Sequence, residues 1–164
     1  VYIHSIHSHK MLNIVTCEIG NPQSVLIRAI EPILNVERME KNRGKSGILV
    51  SNGPGKFTKA FEIDDRFYKT EIQIIEKNMF EIENLSEKLE NKNFKIKYDI
   101  SKINEKYLYL DFENAKIPKK IGTSARIGVP NKGVWTEKKL RFFVDGNRFV
   151  SGMRKAEMRD DVWE

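Results

Sequence analysis

The sequence predicts an α+β fold: a single mixed domain with a curved antiparallel sheet, β-hairpins and short surrounding helices. Three observations lead there. Phe94, Ile96, Tyr98 and Ile100 alternate with polar residues, and residues 107–112 repeat that period of two, as half-buried strands do. Residues 36–43 instead read as a short helix ending at Gly44, and Phe57, Ala60 and Phe61 follow Pro54 at helical spacing. Asp145-Gly146 separates the apolar run 140–144 from residues 147–151. A two-residue turn with positive φ at both positions favours that dipeptide, so a hairpin is expected over 140–151.

The remaining elements are taken in chain order. Residues 1–18 read as a strand-rich start, with Val1, Tyr2 and Ile3 and then Ile14, Val15 and Thr16. The run 25–30 reads as a short buried strand ended by Glu31-Pro32, with Arg28 as the anomaly in its middle. An unpaired charge there would be costly, so Arg28 calls for a partner: a structural ion pair, or the floor of a pocket. Ser51 or Asn52 is placed to cap the helix that begins at Pro54.

Composition narrows the partner. Hydrophobic residues are 40% and charged residues 32%, enough apolar material for one core. No run of about 18 apolar residues predicts a membrane span. A single cysteine, Cys17, cannot close an internal disulfide, and a cytoplasmic setting is expected. The net charge of +6 is unevenly spread. Residues 119–155 hold ten basic side chains against Glu137 and Asp145, a local charge of +8. Such a block fits a polyanion, and a solubilising surface would look the same.

Candidate chemistry is limited. Gly44-Lys45-Ser46 and Gly55-Lys56 have Met39 and Val50 where a nucleotide-binding P-loop needs its first glycine, which excludes that motif. Gly53-Pro54-Gly55-Lys56 reads as a helix start facing one phosphate, or as an ordinary capped helix. His4, His7 and His9 lack an obvious acidic partner for a metal. On a strand, His7 and His9 would share a face without His4.

Three stretches together carry a resemblance: SVLIRAIEP at 24–32, SNGPGKFTKAF at 51–61 and ARIGVPNKGVWTEKKLRFFVDGNRFVS at 125–151. A weaker fourth is VYIHSIHSHKMLNIVT at 1–16. In this order they resemble the alkyladenine (3-methyladenine, or methylpurine) DNA glycosylase family. The resemblance implies a monomeric, nucleoid-associated repair enzyme that binds the minor groove of double-stranded DNA. It would flip an alkylated or deaminated purine from the duplex and hydrolyse its N-glycosidic bond, with no metal and no organic cofactor. It implies that Tyr2 stacks on the flipped base and that Asn13 disfavours guanine by crowding its exocyclic amine. Arg28 would position the attacking water, and Ile127 and Gly128 would line the base pocket. Ile6 would be the wedge, where the alignment slips by one residue between Ser5 and Ile6. Gly53, Gly55, Lys56, Lys138 and Lys139 would meet the DNA backbone.

Two departures shape what is expected. The family's catalytic glutamate belongs to a motif upstream of the hairpin. No glutamate here matches it, since Glu31 sits in the different Ile-Glu-Pro element. Residues 1–164 therefore read as one domain, N-terminally incomplete, with a family-atypical helix-plus-hairpin insertion over 72–118. Beside the repair enzyme stand two other readings, a catalytically inactive DNA-binding relative and an RNA-associated module.

Overall fold

In a computed structural model of the chain, residues 1–75, 108–112 and 114–164 are described. The α+β expectation holds, as small sheets with few helices between them. Strands β1 (Tyr2–Ile6) and β2 (His9–Val15) form an antiparallel hairpin, and β3 (Ser24–Leu26) pairs with the outer side of β2. β4 (Ile72–Ile75) and β5 (Leu108–Asp111) pair in parallel, and β6 (Ile121–Ser124) and β7 (Arg141–Val144) antiparallel. The helices are α1 (Val36–Arg43), α2 (Pro54–Ala60) and the single turn α3 (Val134–Glu137).

Alternation along the first hairpin organises the core. Ile3 faces Leu12 across the ladder, and both pack with Phe57 of α2 and with Ile63 and Phe67. Ile27, whose N–H donates to Leu12 O at 3.0 Å, joins this cluster. A second cluster of Met39, Val50 and Ala60 lies between α1 and α2. α2 sits close on β2 because position 55 has no side chain: a Cβ on Gly55 would come within 2.7 Å of His9 Cβ. Thr58 fastens the same contact, its hydroxyl donating to Lys10 O at 2.8 Å.

Four sequence expectations need correction. The 140–151 hairpin does not form, because β7 takes β6 as its partner. Asp145 N–H donates to Lys120 O, Asn147 N–H folds back to Val144 O, and the Asn147 carboxamide accepts from Phe149 N–H. These turn bonds use groups that a second hairpin strand would need. The strand over 25–30 shrinks to Ser24–Leu26, with Val25 exposed. The cap of α2 is Gly53, because Ser51 Oγ donates instead to Ile30 O at 2.6 Å and Asn52 Oδ1 accepts from Lys56. Among the histidines, His7 lies in the hairpin turn, so it does not share a strand face with His9.

β4 and β5 include the ends of the expected insertion, and β5 confirms the strand read at 107–112. The strand read at 94–100 and the helix-plus-hairpin reading fall mostly outside the described residues. No helix among the described residues is long and apolar enough to cross a membrane.

The close approach of α2 and β2 makes a signed prediction. A glycine-to-alanine change in a helix ordinarily stabilises, but Gly55→Ala should destabilise by about 1–3 kcal/mol, through overpacking against His9. Urea unfolding checks it; a midpoint at or above that of the unmodified chain would contradict the packing.

Candidate functional site

The face of the three-stranded sheet away from the core gathers the residues of interest. Tyr2, His4 and Ile6 alternate along β1, and Asn13 pairs with Tyr2, so these four lie on one face. Asn13 pairs in turn with Leu26, and Arg28 follows just beyond the end of β3.

Tyr2 is partly exposed, and its ring stacks on His4 with centroids 5.5 Å apart and planes 21° apart. The Tyr68 ring makes a second, tilted contact with it at 6.0 Å. Asn13 is 6% exposed. Its Nδ2 donates to Tyr2 O at 3.4 Å and Met11 O at 3.3 Å, and lies 3.2 Å from His4 Nδ1. Both carbonyls can only accept, which fixes the amide's orientation and leaves His4 Nδ1 to accept as well. The Asn13 nitrogen is thus committed within the hairpin, and what it offers an incoming group is bulk and an acceptor oxygen.

Ile6 stands exposed at the end of β1, against the turn. The turn residues His7 and Ser8 both take left-handed backbone, φ 46° and 65°, in a two-residue loop where Asn-Gly is favoured. Ser5 pairs with Lys10 on the opposite face, so of the two wedge candidates only Ile6 shares the face of Tyr2 and Asn13.

Arg28 is partly buried, and its Nη1 donates to Ile127 O at 3.2 Å. Its expected partner is therefore a carbonyl, not a carboxylate. Desolvation lowers its pKa from the usual arginine range, and its Nε is buried without a hydrogen-bond partner among the described residues. Glu31, the nearest acid in sequence, uses Oε2 to accept from Asn147 Nδ2 at 2.8 Å and Trp163 Nε1 at 3.0 Å. Ile127 is partly exposed, and Gly128 beside it has φ 76° with open space where a Cβ would stand.

Arg141 braces this loop, and the sequence reasoning missed it. Nη1 donates to Ser124 Oγ at 3.0 Å and Nη2 to Ser151 O at 2.5 Å. Ser151 Oγ then donates to Asn52 O at 3.0 Å, which ties the 124–127 segment to the start of α2. Burial lowers the Arg141 pKa, and the positive charge of Arg28 lowers it further. The available signal was the one that marked Arg28: an arginine inside an apolar run.

At the start of α2, Gly53 is the capping residue and Pro54 opens the helix. Lys56 Nζ bends back to Asn52 Oδ1 at 2.7 Å, and Gly55 serves the packing on His9. Lys138 lies over the Trp135 ring at 3.8 Å from its centroid. The basic segment is also less uniform than its +8 suggests. Lys119 pairs with Asp161, Lys120 with Asp145, Arg148 with Asp160 and Arg154 with Glu157. Arg126, Lys132, Lys138 and Lys139 have no acidic partner among the described residues. Two cavities of about 250 and 310 Å³ lie elsewhere, one beside Trp163 and one beside Arg141 and Phe143. No three His, Cys, Asp or Glu side chains gather among the described residues as a metal would require.

Comparison with known proteins bears on this face. The family described as methylpurine-DNA glycosylase (MPG) matches residues 1–148. A Staphylococcus saprophyticus protein named "Putative 3-methyladenine DNA glycosylase" is 43% identical over 159 residues, covering 97% of this chain and 63% of that protein. Proteins of the same name from Staphylococcus epidermidis and Staphylococcus aureus are 41% and 40% identical over 166 residues, covering all of this chain and 66% and 67% of theirs. The chain thus spans about two thirds of the length of these relatives. The match over residues 1–148 and these identities agree: the chain belongs to the methylpurine-DNA glycosylase family.

Proposed function

We propose that this chain forms the DNA-gripping and base-holding part of a base-excision repair glycosylase, acting on alkylated or deaminated purines in double-stranded DNA. The target bond is unreachable inside the duplex, so the nucleotide is flipped out, at a cost of about a few kcal/mol that damage reduces. Tyr2 stacks on the extruded base, and Ile6 fills the gap it leaves. Asn13 crowds the exocyclic amine of guanine. Ile127 and Gly128 line the pocket, and Arg28 orients the attacking water. Lys138, Lys139, Lys56 and the backbone at Gly53 and Gly55 face phosphates. The protein acts as a monomer on cytoplasmic, nucleoid-associated DNA.

The observation that carries this reading is the Arg28–Ile127 hydrogen bond, which joins residues 99 apart in sequence. It couples the guanidinium to the carbonyl beside which the water would sit. Bond cleavage builds positive charge on the sugar, and a carboxylate is the natural group to activate water and offset that charge. No carboxylate bonds Arg28 among the described residues. The second reading is a catalytically inactive relative, in which these residues bind DNA without hydrolysing.

Base release from duplexes holding hypoxanthine, 3-methyladenine or ethenoadenine tests both. Release is expected from the repair protein, and binding by it without release supports the second reading. Arg28→Ala should slow release about 100-fold through misplacement of the water, with lesion binding nearly unchanged; an unchanged rate removes Arg28 from that role. Asn13→Ser should raise release of undamaged guanine by about an order of magnitude. Guanine release no higher than before would take Asn13 out of the pocket.

A further inference from the structure

The loop between β6 and β7 carries an aromatic side chain that the fold does not use. Trp135 is 53% exposed and Val134 before it 73% exposed. A bare tryptophan on a loose loop would mean little, but this one is held. Trp135 O accepts from Arg126 Nη2 at 3.0 Å, and Lys132 N–H donates to Thr136 Oγ1 at 2.9 Å. Gly133, at φ 55° and ψ −136°, takes a backbone conformation open essentially to glycine, and it turns the chain into α3. Arg126 directly precedes Ile127, so the backbone at Trp135 is tied to the segment that Arg28 also holds.

Charge singles out the same loop. The basic side chains at either end of 119–155 include four paired with Asp145, Glu157, Asp160 and Asp161. Arg126, Lys132, Lys138 and Lys139, lacking such partners among the described residues, flank Trp135 in sequence, and Arg126 and Lys138 reach it directly. Lys138 Nζ covers one part of the ring, and over half the residue stays open to solvent.

We infer that Trp135 and its four cations form a second DNA contact, outside the base pocket, with the indole against a nucleotide and the cations on the flanking phosphates. Every base offers a π face, and an exposed aromatic ring beside cations that lack acidic partners among the described residues matches a nucleotide better than an acidic peptide, which would leave the indole without a partner. This inference rests on the DNA-binding reading proposed for the chain. It adds a contact that salt does not screen.

Salt dependence separates the two components. Using the full chain and a lesion duplex, Trp135→Ala should weaken binding about tenfold at every salt concentration, leaving the log–log slope unchanged. Lys138→Gln should reduce that slope by about one. Trp135→Leu, which keeps apolar bulk without the ring, should lose as much as alanine. Trp135→Phe should recover most of the affinity, and it should abolish the quenching of tryptophan emission by DNA while Trp163 remains. Equal binding by wild type and Trp135→Ala overturns the inference alone. No duplex binding by wild type overturns the DNA-binding reading with it. Equal quenching by polyglutamate or by anionic phosphatidylglycerol vesicles would overturn the choice of nucleic acid as partner.

Discussion

The two-residue turn at His7-Ser8 sets the register of the β1–β2 hairpin, and that register decides the composition of both the core and the face that carries Tyr2 and Asn13. It places Ile3 and Leu12 together over Phe57, and it places Tyr2 opposite Asn13 on the other face. A slip of one residue would exchange the two faces, burying Asn13 and Tyr2 in the core and exposing Ile3. Core and site are therefore not independent. The apolar face, by packing on α2, holds the polar face in the arrangement where one asparagine nitrogen serves two carbonyls and a histidine.

The second constraint is electrostatic. Arg28 and Arg141 are both partly desolvated, both hold the 124–127 segment, and each lacks an acidic partner among the described residues. Two guanidiniums kept near one another store repulsion that an anion would relieve. The acids available to them are used elsewhere: Glu31 with Asn147 and Trp163, Asp145 with Lys120 and Arg159. This leaves positive charge beside Ile127, which on the proposed reading fits a partner made of phosphates and bases.

Much of the fold was legible in the sequence where short-range pattern and long-range packing agreed. Val36–Arg43 and Pro54–Ala60 are helices as the sequence predicts. Arg28 stands out as a charge in an apolar run, and physical grounds alone require a partner for it. What pattern could not give was the identity of partners distant in sequence. Asp145-Gly146 carries the strongest local hairpin signal, yet β7 is claimed by β6, and Asn147 turns away to Glu31, 116 residues off. Likewise, Gly55 and Lys56 read as a phosphate-facing helix start, and only the structure adds the packing of Gly55 on His9 and the hydrogen bond from Lys56 to Asn52. Charge counting also misleads in part, because acids from Glu157 onward neutralise the ends of the basic block and leave its middle.

On the reading proposed here, Tyr2, Asn13 and Arg28 hold a damaged base, whereas the basic loop holds any duplex. Nitrogen-15 NMR of the side chains separates the two roles, by titration with two duplexes that differ in one ethenoadenine. The Asn13 amide and Arg28 Nε signals should shift with the lesion duplex alone, while signals from residues 126–139 should shift with both. Identical shifts at Asn13 and Arg28 with the two duplexes, or none with either, would contradict that division.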